Sequence, residues 1–107
     1  MSRSLTLKFR LYIAGDTPNS VQALSNLTSL CQEHIPDRHE IEIINVLKDP
    51  KRALADGIIL TPILVKVSPL PVQIIIGTLS QTQTVLNALG LEVSAGQRTG
   101  TSRSLRI

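Results

Sequence analysis

The stretch from Gly57 to Ser80 reads GIILTPILVKVSPLPVQIIIGTLS, and its reading decides the architecture of the chain. Isoleucine and valine argue for strand, while Pro62, Pro69 and Pro71 each interrupt a ladder by removing a backbone donor. The same length could hold helical turns separated by those prolines. Most sequences agree with themselves at every level, so a conflict this long points to function or strain. The simplest reading is two strands, Ile63–Val67 and Val72–Ile76, joined by a turn at Ser68-Pro69-Leu70-Pro71.

Working outward, Asp49 and Pro50 form a cap-then-proline signal for a short helix over Lys51–Asp56, stopped by Gly57. Before it, Glu40–Leu47 (EIEIINVL) reads as a strand. The clearest strand lies further back: Leu5, Leu7, Phe9, Leu11 and Ile13 alternate with Ser4, Thr6, Lys8, Arg10 and Tyr12. Gly15 breaks it, Thr17 offers a capping oxygen, and Pro18 takes the favoured first helical position. The helix that follows sets Val21, Leu24, Leu27, Leu30, Cys31 and Ile35 on one broad apolar face, and Pro36 ends it. After the ambiguous stretch, Ser80 and Gln83 suggest a capping box for a helix bearing Val85, Leu86 and Leu89, closed by Gly90.

The order is therefore β-α-β-α-β-β-α, an α/β thioredoxin-like arrangement. One detail resists it. Lys8 and Arg10 share a strand face, whereas central strands of a doubly covered sheet read as nearly continuous apolar runs. Either that face is partly open or the first strand lies nearer an edge. Residues 1–93 are expected to form one domain, and 94–107 (SAGQRTGTSRSLRI) a disordered arginine-bearing tail.

The net charge of +3 dissolves on inspection. Through Glu92 the basic and acidic side chains balance, and the surplus is Arg98, Arg103 and Arg106. With only Phe9 and Tyr12 as aromatics, neither phosphate condensation nor base stacking is expected, which disfavours nucleic acid. Cys31 is the single cysteine; it excludes an internal disulfide and fits a reducing compartment. Arg3, Lys8 and Arg10 interrupt the N-terminal apolar pattern, so no signal peptide is expected, and no apolar run is long enough to span a bilayer. These readings point to a cytoplasmic protein that does not enter membranes.

Catalytic chemistry finds no foothold. A thioredoxin-like enzyme would carry C-x-x-C where this chain has Gly15-Asp16-Thr17-Pro18-Asn19-Ser20, so thiol–disulfide exchange is excluded there. Caps and turns account for Asp16, Thr17 and Ser20. Cys31, His34 and His39 suggest a metal, yet a structural zinc needs four ligands and Cys31 lies in the apolar stripe. No phosphate-cradling G-x-x-x-x-G-K-[ST] is present. No catalytic residue, metal site or cofactor is expected. Thr61-Pro62 occupies the place of the thioredoxin-like cis-proline and is expected to be cis.

Three separated motifs resemble one family. Leu11-Tyr12-Ile13-Ala14-Gly15-Asp16-Thr17-Pro18-Asn19-Ser20 is similar to LYVAGNTPNS of the KaiB family, Val46-Leu47-Lys48-Asp49-Pro50 to its VLKNP, and Leu60-Thr61-Pro62 to its ATP. Matches continue at Leu64, Lys66-Val67, Pro69, Pro71-Val72, Ile75-Ile76-Gly77 and Leu79-Ser80, and the resemblance spans about residues 5–90.

The resemblance implies a non-enzymatic circadian regulator that interconverts between a tetrameric ground-state fold and a monomeric thioredoxin-like fold. The monomer would dock on a hexameric KaiC-like ATPase, compete with a SasA-like histidine kinase and capture a KaiA-like protein. Its converting half would include Gly57–Ser80, with Pro62, Pro69, Leu70 and Pro71 as fold-switch positions. Where the family carries basic residues facing KaiC, this chain has Gln22, Glu42, Gly57, Gln73 and Ile74. Consecutive family prolines become Pro69-Leu70-Pro71. These departures imply a divergent paralogue tuned to a different KaiC-like partner in timing or stress signalling. Lys48, Lys66, Glu42, Gln22 and Ile74 are the expected partner contacts. The competing reading is a single-fold thioredoxin-like adaptor or enzyme without KaiC binding.

Overall fold

The computed structural model describes residues 6–91; the expected tail at 94–107 lies outside them. Seven elements follow in order: β1 Leu7–Ile13, α1 Pro18–His34, β2 His39–Asn45, α2 Pro50–Ala55, β3 Ile63–Ser68, β4 Gln73–Ile76 and α3 Thr82–Leu89. The strands form one sheet in the order β2-β1-β3-β4. β1 runs parallel to β2 and antiparallel to β3, and β3 antiparallel to β4. This is the thioredoxin-like α/β arrangement. Within Gly57–Ser80 the strand reading holds, and Thr61-Pro62 is cis, as are Ser68-Pro69 and Leu70-Pro71.

Strand alternation divides the sheet into two unlike faces. On one face Leu7, Phe9, Leu11 and Leu64 meet Ala23, Leu27, Leu30 and Cys31 of α1 and Val85, Leu86 and Leu89 of α3. This is the main core, and it is aliphatic apart from Phe9 and Cys31. On the other face a smaller cluster joins Tyr12, Ile44 and Ile63, flanked by Val46, Ile58 and Val65, with only the short α2 nearby. The second face is therefore partly open, which accommodates Lys8 and Arg10 although β1 is central. The alternative that β1 lies towards an edge is overturned by the strand order.

The first helical junction is built on glycine. Gly15 sits at φ 59°, a conformation most side chains avoid, and an added Cβ would lie 3.2 Å from Leu47 Cδ1. Its amide donates to Asn45 Oδ1 at 3.0 Å, and the same oxygen accepts from the Leu47 amide at 3.0 Å. One side chain thus clamps the β1–α1 junction to the end of β2.

Several local expectations need correction. Val21 is 54% exposed: the buried stripe runs Ser20, Ala23, Leu27, Leu30 and Cys31, which places Val21 on its outer flank. Thr17 is the N-cap of α1, but its hydroxyl donates to Ser20 Oγ at 2.8 Å instead of capping. Asp49 likewise stands at the N-cap of α2 without a side-chain cap bond. The capping box is not made: α3 starts after Gln81, Ser80 Oγ pairs with Thr78 Oγ1, and Gln83 donates to Asn87. β2 ends at Asn45, before Leu47, because the Lys48 and Asp49 amides turn back onto the Asn45 carbonyl.

Candidate partner-binding surface

The open face gathers polar groups that no core demands. Along β1, Lys8, Arg10 and Tyr12 point to it; along β2, register places Glu40, Glu42 and Ile44 beside them. From α2, Arg52 and Asp56 reach down onto the same face. Arg10 Nε lies 3.3 Å from Glu42 Oε1. Arg52 donates to both Glu42 oxygens at 3.3 Å and, through Nε, to Asp56 Oδ2 at 3.0 Å. The buried Tyr12 hydroxyl donates to the same Asp56 oxygen at 2.7 Å.

This lattice shifts its members in consistent directions. The Arg52 hydrogen bonds, followed by the charges of Arg52 and Arg10, hold the Glu42 carboxyl below its ordinary range. The Tyr12 hydroxyl, then Arg52, does the same for Asp56. Burial, reinforced by Asp56, pushes the Tyr12 phenol up. The charges of Arg10, Arg52, Glu42 and Asp56 sum to zero. The lattice anchors α2 to the sheet; Glu42 does not stand as a free negative charge.

Beyond the lattice the face becomes apolar. Register aligns Glu42 with Arg10, Arg10 with Val65, and Val65 with Ile74, a single row across all four strands. At the usual interstrand spacing that row spans about 14 Å. Ile74 and Ile76, both on this face, are 62% and 61% exposed. A shallow cleft lined by Arg10, Tyr12, Asp56, Gly57, Ile58 and Ile74 joins the charged half of the row to the apolar half.

The structure thus brings Glu42, Gly57 and Ile74 onto one surface, with Gln73 beside Ile74 on β4. Gln22 lies elsewhere, exposed on α1 and bonded to Asn26, on the opposite side of the sheet. Lys48 is exposed in the β2–α2 turn. Lys66 is 5% exposed on the helix-covered face, opposite Phe9 in register, so this fold does not present it to a partner. Among the fold-switch positions Pro62 is buried, Pro69 half-buried, and Leu70 and Pro71 are exposed. Arg10, Tyr12, Arg52 and Asp56 were absent from the sequence reading of the surface. The i, i+4 spacing of Arg52 and Asp56 was the available signal, but it does not reveal Glu42 and Tyr12 as their further partners.

The other candidates resolve into structure. Ser20, buried, accepts from the Ala14 amide at 3.0 Å and from Thr17, so its oxygen is occupied by the junction. Burial pushes the Cys31 thiol up to about 11, a packing cysteine and not a reactive one. Among the described residues no group of three His, Cys, Asp or Glu could hold a metal ion, and no helix is long and apolar enough to cross a membrane.

Comparison with known proteins places these features. The fold matches the N-terminal domain of SasA from Synechococcus elongatus with a TM-score of 0.64 at 18% identity, covering 89% of this chain and 93% of that one. It matches chloroplastic thioredoxin z with a TM-score of 0.65 at 18% identity, covering 79% and 77%. In sequence, the circadian clock protein KaiB3 of Synechocystis sp. is 46% identical over 84 residues, 78% of this chain and 80% of that protein. The circadian clock oscillator protein KaiB of Synechococcus elongatus is 43% identical over 97 residues, 91% and 93% of the two chains. The KaiB domain signature matches residues 10–91. The matched domain covers most of the chain and the relatives exceed 40% identity, so the chain belongs to the KaiB family.

Proposed function

We propose that this chain is a non-enzymatic clock-type regulator that docks on a hexameric KaiC-like ATPase through the open face of its sheet. The observation that carries the reading is the row Glu42–Arg10–Val65–Ile74, which leaves an apolar, solvent-facing half beside an internally neutralised charged half. An interface core is depleted in charge and its rim is polar, and this face has that division. Since Glu42 is already paired, recognition rests on the isoleucines more than on long-range charge, unlike a basic docking surface. The place of a thiol pair is filled by Gly15–Ser20, which supports a binding role over redox chemistry.

The docking form is the monomer in the cytoplasm, and the ground state is a tetramer whose C-terminal half is packed differently. A KaiA-like protein and a SasA-like kinase are further partners, the latter a competitor by virtue of its similar fold. The aliphatic content of Gly57–Ser80, exposed at Leu70, Val72, Ile74 and Ile76, supports a second packing for this segment. Restoring the family proline with Leu70→Pro is expected to change the ratio of two slowly exchanging amide peak sets or their interconversion rate. A single peak set in wild type and variant alike would favour the single-fold adaptor. Docking is tested by size-exclusion chromatography with the cognate KaiC-like ring after overnight incubation with ATP. Co-migration is expected; separate elution would overturn the proposal.

A further inference from the structure

Leu79, in the connection from β4 to α3, is held in a conformation that its side chain resists. It lies at φ 65°, and among the described residues it is the only non-glycine at positive φ. A bulky side chain there is strained, and such strain persists only where neighbours over-determine the backbone. Two neighbours do so. The Leu79 side chain is buried in the main core cluster with Leu86 and Leu89. Asn26 of α1 donates from Nδ2 to the Thr78 carbonyl at 2.8 Å, which pins the peptide unit entering Leu79. The Asn26 amide is oriented in turn by Gln22, whose Nε2 donates to Asn26 Oδ1 at 3.3 Å. Beyond the loop, α3 has 8 residues and no side-chain cap, too little to persist as a helix once undocked.

We propose that the Asn26–Thr78 hydrogen bond is a latch that governs how readily α3 leaves the sheet as a unit. With the bond made, the Thr78–Leu79 peptide is pinned and Leu79 keeps its side chain in the core. With it broken, that peptide turns, Leu79 relaxes to negative φ, and its side chain leaves the core ahead of Val85, Leu86 and Leu89. Strain released on opening offsets part of the cost of exposing those residues. The segment from Thr78 to Leu89 therefore opens below the free energy of global unfolding. The β1–α1 junction is the contrasting case: Gly15 takes its positive φ without strain, so the Asn45 clamp holds a relaxed turn. One consequence rests on the function proposed above: a second packing of the C-terminal half must first release α3, so the latch limits its rate.

The test is native-state amide exchange on the full chain alone, a readout that involves neither an ATPase nor a second packing. In wild type, the amides of Val85–Leu89 should exchange faster than those of Leu11 and Leu27. Asn26→Ala and the isosteric Asn26→Asp, whose carboxylate cannot donate, should each speed the α3 amides about fivefold, the worth of one neutral hydrogen bond. Amides of β1 and α1 should not speed up in Asn26→Ala, because alanine is the better helix former inside α1. Leu79→Gly removes the strain, so adding Asn26→Ala to it should change α3 exchange by less than about twofold. The latch is overturned if α3 amides exchange only together with those of β1, or if their rates are unchanged in both Asn26 variants. It is equally overturned if all three elements speed up together, or if Asn26→Ala keeps its full effect beside Leu79→Gly.

Discussion

The two faces of this sheet are built from the same alternating strands and do different work. On the helix-covered face β1 contributes Leu7, Phe9 and Leu11 to a dry core closed by α1 and α3. On the other face the same strand contributes Lys8, Arg10 and Tyr12, held by Glu42, Arg52 and Asp56. The first face fixes the fold by excluded water. The second tethers one short helix and leaves apolar surface at β4 uncovered. Strand periodicity thus separates the packed face that holds the fold from the open face proposed for docking.

That division predicts unequal responses to substitution. Leu11→Ala, on the central strand with no exposure, should destabilise by about 2–5 kcal/mol, read as a lowered denaturant midpoint at unchanged slope. A cost well below that range would mean the core face is not the main source of stability. Tyr12→Phe keeps the ring but removes the donor to Asp56, and should cost on the order of 1 kcal/mol in the same measurement.

The smallest effect is electrostatic and depends on pH. Glu42 and Asp56 titrate lower in the folded chain than their ordinary values of 4.5 and 3.8. Their contribution is therefore present above those values and lost as pH falls through the lower folded ones. Thermal midpoints should decline on acidification below about pH 4.5, and Glu42→Gln should flatten that decline. Tyr12 and Cys31 have the opposite sign, since both titrate higher when folded. Their contribution is present at neutral pH and lost as pH rises through their folded values. An acid profile identical in wild type and Glu42→Gln would show that the lattice exists without energetic coupling.

The order of elements was legible because each carries a local signal: alternation in β1, Thr17-Pro18 before α1, Asp49-Pro50 before α2, Gly90 after α3. What failed was the choice of partner, both between competing neighbours close in sequence and across the folded sheet. The capping oxygens of Thr17 and Ser80 found side-chain partners instead of helix amides. Lys66 lies in a run of apolar residues where alternation cannot say which face is covered, and the sheet order put it under the helices. Glu42 read as a lone reversed charge because Arg10 and Arg52 reach it only across the folded sheet. The surface was half visible: Glu42 and Ile74 were singled out, while the residues linking them needed the register.

The most direct test of the account is amide exchange on the chain after overnight incubation with the proposed KaiC-like ring. The account predicts a complex in which Gly57–Ile59 and Gln73–Ile76 gain protection beyond that of the chain alone at equal concentration. No complex, or protection confined to the outer surfaces of α1 and α3, would contradict it.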